Sequence, residues 1–482
     1  MKQIGEWALD AASQAGVDYA DARLLDTWTQ GVQMRNGETS SLWDNRDQGL
    51  GVRVLAKGAW GFAATSHLDR ESVIRCAREA VAIARASASV NSQSVRLAPE
   101  PAWQDFWQTP VQRDPFSVPL EQRLALLLAC DAELRRDPRV KVASGSLRFV
   151  RERIRLMSSE GLDLDQELIR SGAGISATAT DGCDSQTRSY PMSHGGQWMS
   201  LGWELIESMD LPGNSARVAE EAVALLSAPL CPSGTMDLIL KPAQLVLQIH
   251  ESVGHATELD RVLGYEANYA GTSFATTEKL GNFRYGSPLV NLVADGTVPG
   301  GLATRGYDDD GVRQQRWPIV QQGILKGYMT NRELAHTIEE GGSRGCNRAE
   351  TWGDIPIVRI NNLSLMPGAS SWDDLVAGVD DGVIMDSNNS WSIDQRRLNF
   401  QFGCEIGWRV QKGRITGLVR NPTYQGMTPQ FWGACDGICG PELWQLMGVA
   451  NCGKGQPGQT AHMSHGSSPA RFRGIQVGIK TS

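Results

Sequence analysis

Apolar positions at the start of the chain recur at helical spacing. Ile4, Ala8, Ala11, Ala12 and Ala15 share one face, and Gly16 stands where a helix would stop. From Tyr19 to Ala64 the pattern changes to short segments of period two, broken by Asn36-Gly37 and further glycines. Arg53–Ala56 and Trp60–Ala63, on either side of Lys57-Gly58-Ala59, predict a hairpin. Helical spacing returns from about Glu71 to Arg85, with Val73, Ala77, Ala80, Val81 and Ala84 on one face. Residues 92–118 hold four prolines among polar positions and predict an ordered excursion, not a core element, anchored by Trp103, Phe106 and Trp107. A helix is expected from Leu120 to Arg135, strands between Val140 and Thr180, and a helix again over Ala216–Leu226.

Pro229 to Gly234 marks the predicted domain boundary, after which glycine-rich strand-and-turn sequence dominates. Met236–Leu240, Ile355–Ile360, Asn399–Phe402 and Arg414–Val419 read as strands. Pro242 suits the first turn of a helix. The expected fold is α+β: an N-terminal α/β domain with an antiparallel sheet over residues 1–230, then a β-rich C-terminal domain over 231–482 carrying one special helix. Composition changes this picture little. The 482 residues are 41% apolar and 21% charged, and 46 basic against 54 acidic residues leave a net charge of −8. Without a basic cluster, no nucleic-acid partner is expected. No stretch approaches the roughly 18 apolar residues of a membrane span, so none is expected. The first residues lack the apolar core of a secretory leader, and nine scattered cysteines suit reduced thiols; together they predict a cytoplasmic location.

The special helix is where the chemistry concentrates. Leu245-Val-Leu-Gln-Ile-His250-Glu251-Ser-Val-Gly254-His255 places two imidazoles around an acid inside an apolar run, like a zinc-peptidase His-Glu-x-x-His signature with one residue added. Ligands four apart on a regular helix diverge by about 40°, and five apart by about 140°. His250 and His255 can share a metal only if the helix is bulged or broken near Val253–His255, a distortion that Gly254 would tolerate. Glu251 is then placed to accept a proton from an attacking water. Glu258, Cys452, His462 and His465 are the candidate third ligands. Glu258 lies close after His255, Cys452 stands before closely spaced glycines, and both later histidines fall in a Ser/Gly-rich segment that predicts exposed loop. A buried helix with ordinary hydrogen-bonded histidines, and an inert buried thiol, are the competing readings.

Further motifs make the likeness specific. His250-Glu-Ser-Val-Gly-His255, Gln322-Gly-Ile-Leu-Lys-Gly-Tyr328, Asn347-Arg348-Ala-Glu350, Val449-Ala-Asn-Cys452-Gly-Lys-Gly-Gln, Asp18-Tyr-Ala-Asp-Ala-Arg23 and Gly51-Val-Arg-Val-Leu55 together resemble the TldD/PmbA peptidases, once described as modulators of DNA gyrase. The resemblance covers nearly the whole chain and is closest to the metal-retaining TldD branch. It implies zinc held by His250, His255 and Cys452, with Glu251 as general base. It further implies a closed dimer, either with a metal-free PmbA-like paralogue or with a second copy, whose internal cavity admits only unfolded or short peptides at low sequence selectivity. Arg348 and Glu350 would line the substrate groove, although only one arginine precedes the acid where the family pattern has two, and a surface salt bridge explains them as well. Asp308-Asp309-Asp310-Gly311 resembles a family turn and reads as solvated. The alternative function is a peptide-binding subunit with a structural metal; a cysteine hydrolase using Cys452 is a third reading.

Overall fold

The computed structural model describes residues 1–91 and 93–478; Ser92, where the predicted excursion begins, and residues 479–482, the last of the predicted C-terminal domain, lie outside the described residues. The N-terminal half is organised by long strands. β1 (Tyr19–Arg35) and β2 (Glu38–Ala56) pair antiparallel through the two-residue turn Asn36-Gly37, both with positive φ (51° and 80°). The same chemistry recurs at Lys57-Gly58, which joins β2 to β3 (Ala59–Thr65) as the predicted hairpin. With β4 (Gln104–Gln108), β5 (Val140–Ser158) and β6 (Asp163–Thr180) extend the sheet in the order β3-β2-β1-β5-β6-β4. The short segments expected over Tyr19–Ala64 are thus strands of 17 and 19 residues. The middle of β1 is polar and half-buried and the first part of β2 polar and exposed, which interrupts the apolar alternation that a sequence pattern depends on.

Helices α1 (Lys2–Ser13) and α2 (Arg70–Ala88) lay their alanine-rich faces on this sheet, with Ala8, Ala12, Val73, Ala77 and Ala80 fully buried. Gly61 lets α2 come close, because a Cβ there would meet the Ala80 carbonyl oxygen at 2.1 Å. α3 (Leu120–Leu134) and the helix Leu211–Ser227 cover another part of the sheet around Phe149 and Leu147. The described part of the Pro-rich excursion departs from expectation: β4 (Gln104–Gln108) adds to the sheet, parallel to β6. Pro101 and Pro110 flank this strand rather than interrupt it, so its backbone donors stay available to pair.

In the C-terminal half, Gly234–Leu240 pairs with Asp381–Ile393 on one side and Ala470–Val477 on the other. Ala470–Val477 continues to Thr423–Met427 and then Asn399–Gln411, which also pairs with Asp381–Ile393 and closes these strands into a ring. Leu238, Leu240, Phe402, Tyr424, Phe431 and Phe472 pack together in the core of this half, with Phe431 stacked on Phe472 at 4.1 Å. Of the strand expected over Ile355–Ile360, only Ile357–Val358 pairs. No helix among the described residues is long and apolar enough to cross a membrane.

The two halves meet across buried charge. Arg53 of β2 bridges Asp21 (2.7 Å) and Asp310 (2.8 Å), and all three side chains are buried. Asp308, Asp309 and Asp310 are therefore not a solvated turn. Asp308 accepts the amides of Asp310, Val312 and Asn347, and Asp309 accepts that of Ala349. Burial pushes the Asp310 carboxyl up, but the Arg53 guanidinium outweighs it and holds the group below the usual carboxylate range. Sequence cannot separate a solvated acidic turn from a buried one, because the compensating arginine lies 257 residues away. Arg53→Ala is expected to destabilise the fold by about 3–5 kcal/mol in denaturant unfolding, since it leaves two buried carboxylates unpaired; a loss under about 1 kcal/mol would contradict the ion-paired seam.

Candidate metal centre

The helix Pro242–Ile249 starts with Pro242, as expected, and buries Leu245, Val246 and Ile249. Beyond Ile249 the helix widens. His250–Gly254 is a π-helical turn in which the His255 amide donates to the His250 carbonyl, five residues back, and a short 3₁₀ turn over His255–Thr257 follows. The inserted residue is absorbed as anticipated, and the two rings lie 4.8 Å apart between centroids. Polar groups loosened by the distortion are satisfied from outside the helix. Tyr285 Oη donates to the Ser252 carbonyl (2.5 Å), Trp432 Nε1 to Ser252 Oγ (3.0 Å), and Thr257 Oγ1 to the Val253 carbonyl (2.8 Å). Gly254 serves a different purpose from the one the sequence suggests. Its φ of −54° is ordinary, but a Cβ there would meet Ile360 Cδ1 at 2.8 Å, so glycine lets the buried Ile360 side chain pack closely against the turn.

Hydrogen bonds on the far side of each ring decide which nitrogen faces the centre. His465 Nδ1 lies 2.8 Å from the Leu363 carbonyl, which can only accept, so the proton is on Nδ1. Burial pushes both His465 and His250 down in pKa, so both rings are neutral and His465 Nε2 is an acceptor. His250 Nδ1, 2.9 Å away, must donate to it, which leaves the His250 Nε2 lone pair free. His255 Nδ1 faces Glu258 Oε2 at 2.7 Å, so its Nε2 lone pair is free as well and lies 3.4 Å from Cys452 Sγ. Ligand atoms of His250, His255 and Cys452 all lie within 4.8 Å of one another, and all three residues are buried.

Burial alone would raise the Cys452 thiol. The thiol nonetheless lies below its ordinary value, and the charge that favours the thiolate is the Arg359 guanidinium, with Nη2 3.3 Å from the sulfur. Two imidazole nitrogens and a sulfur with thiolate character form a donor set suited to zinc, and each ring is oriented by a hydrogen bond behind it. These residues fit such an ion.

Cys452 lies on the strand Gln445–Lys454, not in a loop. It is paired antiparallel with Gln459–Ser467 in the register Cys452↔Ala461 and Met447↔His465. The register slips between Val449 and Cys452, leaving Ala450 and Asn451 unpaired with the neighbouring strand. Beyond Cys452, the buried Lys454 ammonium pairs with Glu266 (3.2 Å) and Asp260 and fixes that end of the strand. Glu251 points into a cavity of about 330 Å³ shared with both histidines, Cys452, Trp198 and Trp391, and its carboxylate contacts the Arg397 guanidinium.

Several site residues differ from expectation or escaped it. His465 is buried and His462 half-buried, and neither is a loop residue, because the Ser/Gly-rich composition that suggested a loop belongs to a tightly packed hairpin. Glu258 orients His255 instead of competing as a ligand. Arg348 is buried and donates to the His462 carbonyl (2.6 Å) and the Ile360 carbonyl, while Glu350 is exposed and accepts the Thr460 amide (2.5 Å). They form no salt bridge with each other among the described residues, and both line a second cavity beside the first. Arg397 and Arg359 were missed because no local spacing ties an arginine to an acid 146 residues distant or a thiol 93 residues distant.

Comparison with known proteins places this geometry. Family models described as PmbA/TldA metallopeptidase domain 1, central domain and C-terminal domain match residues 20–84, 113–229 and 233–478. A protein of Methanothermobacter thermautotrophicus named a metalloprotease is 28% identical over 472 residues, covering 96% of each chain. A Saccharolobus solfataricus relative named a zinc metalloprotease TldD homolog is 25% identical over 277 residues, 57% of this chain and 58% of that one. Among solved structures, a Thermotoga maritima protein described as a candidate modulator of a DNA gyrase shares the fold with a TM-score of 0.78 at 18% identity, covering 99% of this chain and 100% of that one. With three successive domain models matched along most of its length, the chain belongs to the PmbA/TldD family of metallopeptidases.

Proposed function

We propose that the protein is a zinc-dependent peptidase that hydrolyses unfolded or short peptides, with His250, His255 and Cys452 as ligands and Glu251 as general base. One observation carries this reading: three donors converge, and among the described residues no fourth does. His465, the nearest further candidate, is committed to His250 Nδ1, and Glu258 to His255 Nδ1. A closed structural site would need a fourth protein ligand, whereas a catalytic site keeps a position open. Zinc is favoured by the mixed imidazole–thiolate set and by the name of the Saccharolobus relative.

The metal, when bound, supplies a Lewis acid that polarises the scissile carbonyl and makes water acidic enough to be deprotonated near neutral pH. The chain does the rest. Glu251 accepts the proton of the attacking water on its carboxylate and can pass it to the leaving amine nitrogen as the C–N bond breaks. The Arg397 guanidinium fixes the orientation of that carboxylate. Neutral His250 and His255, their Nδ1 protons held by His465 and Glu258, keep their Nε2 lone pairs for the metal. Asn451, unpaired with the neighbouring strand, offers main-chain groups in the cavity wall to an extended peptide, while the Ala450 carbonyl is taken by the His462 ring; such main-chain pairing makes little demand on side chains.

The proposal includes assembly, on the strength of the family resemblance: a closed dimer with a metal-free PmbA-like paralogue or a second copy, enclosing the cavity so that folded proteins are excluded. A cytoplasmic location accords with nine free cysteines.

Glu251→Gln is expected to lower hydrolysis of an unstructured peptide by at least about 100-fold while zinc content stays near that of the unaltered protein; activity retained alongside bound zinc would remove Glu251 from the mechanism. His465→Phe leaves the His250 Nδ1–H without its acceptor, and chelator competition should register a loss of zinc affinity of about 10–100-fold. Unchanged affinity would show that the orientation of His250 does not depend on His465.

A further inference from the structure

Across the ledge formed by Ala450 and Asn451 from the metal centre lies a second cavity, of about 370 Å³. The two cavities share Trp198, Ala450 and Asn451. Four arginines reach the wall of the second: Arg148, Arg170, Arg305 and Arg348. Two of these arginines are already paired with acids, and the other two acids of the wall, Asp47 and Glu350, are held by neutral donors. Arg170 pairs with Glu152 at 2.9 Å, and Arg305 pairs with Asp309 at 3.3 Å. Asp47 accepts the Trp352 indole (2.9 Å), and Glu350 accepts the Thr460 amide (2.5 Å).

Arg348 stands apart. It is buried, its two terminal nitrogens donate only to carbonyl oxygens, and among the described residues no carboxylate lies within ion-pair distance of it. Burial, then repulsion from Arg305 and Arg359, pushes its pKa down to about 9. His462 adds no further positive charge, since burial, then the Arg170 charge, keeps its ring neutral. Arg148 is exposed and lies over the Trp198 ring, 5.7 Å from its centroid, at the border between the two cavities. A guanidinium buried without a counter-charge is costly to the fold, and a group so perturbed in the wall of a cleft marks a candidate binding site.

We propose that this cavity is a carboxylate-binding subsite of the peptidase, taking a free C-terminal carboxylate or an aspartate or glutamate side chain of the substrate. The inference rests on the peptidase reading and adds selectivity to it at one position. Planar guanidinium groups suit a carboxylate in particular, since their paired N–H donors match its two oxygens. Asn451 borders the cavity and adjoins Cys452, so an extended peptide rising about 3.3 Å per residue would carry its acid within roughly one to three residues of the cleaved bond. Binding elsewhere along the peptide would still be through the main chain.

The test uses the full-length Glu251→Gln protein, which should bind peptide without cutting it. One labelled, unstructured sequence is prepared as the free acid, as the C-terminal amide, and with a single glutamate or glutamine near its end, and binding is followed by fluorescence anisotropy. The acidic member of at least one pair is expected to bind about tenfold more tightly than its neutral counterpart. The acid–amide pair reports the chain end, and the glutamate–glutamine pair reports the side chain. Arg148→Gln, an exposed change that should not disturb folding, is expected to cut that advantage to about threefold. Equal binding of acidic and neutral forms, or an advantage untouched by Arg148→Gln, would overturn the subsite. Absence of binding by every peptide would sink the peptidase reading with it.

Discussion

The constraint on which the C-terminal half depends is that two imidazoles five residues apart must present the same nitrogen to one thiol. A regular helix points them apart, so the helix is widened by one residue, and everything packed around it follows from that choice. Tyr285, Trp432 and Thr257 satisfy backbone and hydroxyl groups that the distortion loosens. Gly254 lets the segment at Ile360 come in close. His465 and Glu258 hold the outer ring nitrogens, and with them the tautomers. Cys452 and His465 share one hairpin, so a single two-stranded element delivers the thiol and one of the two orienting groups together.

The acidic run and the arginines form a second, connected system. Asp308 and Asp309 accept the amides of Asn347 and Ala349 on either side of Arg348, while Asp310 reaches across to Arg53 of the N-terminal sheet. The segment bearing Arg348 is therefore braced against the other half of the molecule and not only against its own sheet. N-terminal strands also supply walls of the second cavity through Arg148, Glu152 and Arg170. The N-terminal half thus shapes the ground next to the metal centre, which gives a reason for burying so much charge between the halves.

How legible this was from sequence depends on how local each feature is. The hairpin at Lys57-Gly58, α1 to α3 and the strand Arg414–Val419 follow from periodicity and turn chemistry within a few residues. The distortion after Ile249 could be inferred because both histidines lie on one segment and their spacing lets them converge only if the helix is bulged or broken. Cys452 could not be chosen over Glu258 from spacing, and only family resemblance pointed to it. His465, Arg359 and Arg397 left no local trace, since each matters through a partner brought near by folding. The aspartate run and the Ser/Gly-rich hairpin misled for a common reason. Polarity along the chain signals solvent only when nothing distant arrives to satisfy it.

The central claim is that His250, His255 and Cys452 together hold the metal and leave a position open. X-ray absorption at the zinc edge tests it on the zinc-loaded full chain. The account predicts one sulfur scatterer at about 2.3 Å, with the remaining ligands being nitrogen or oxygen near about 2.0–2.1 Å. A spectrum with no sulfur, or with two or more, would contradict it.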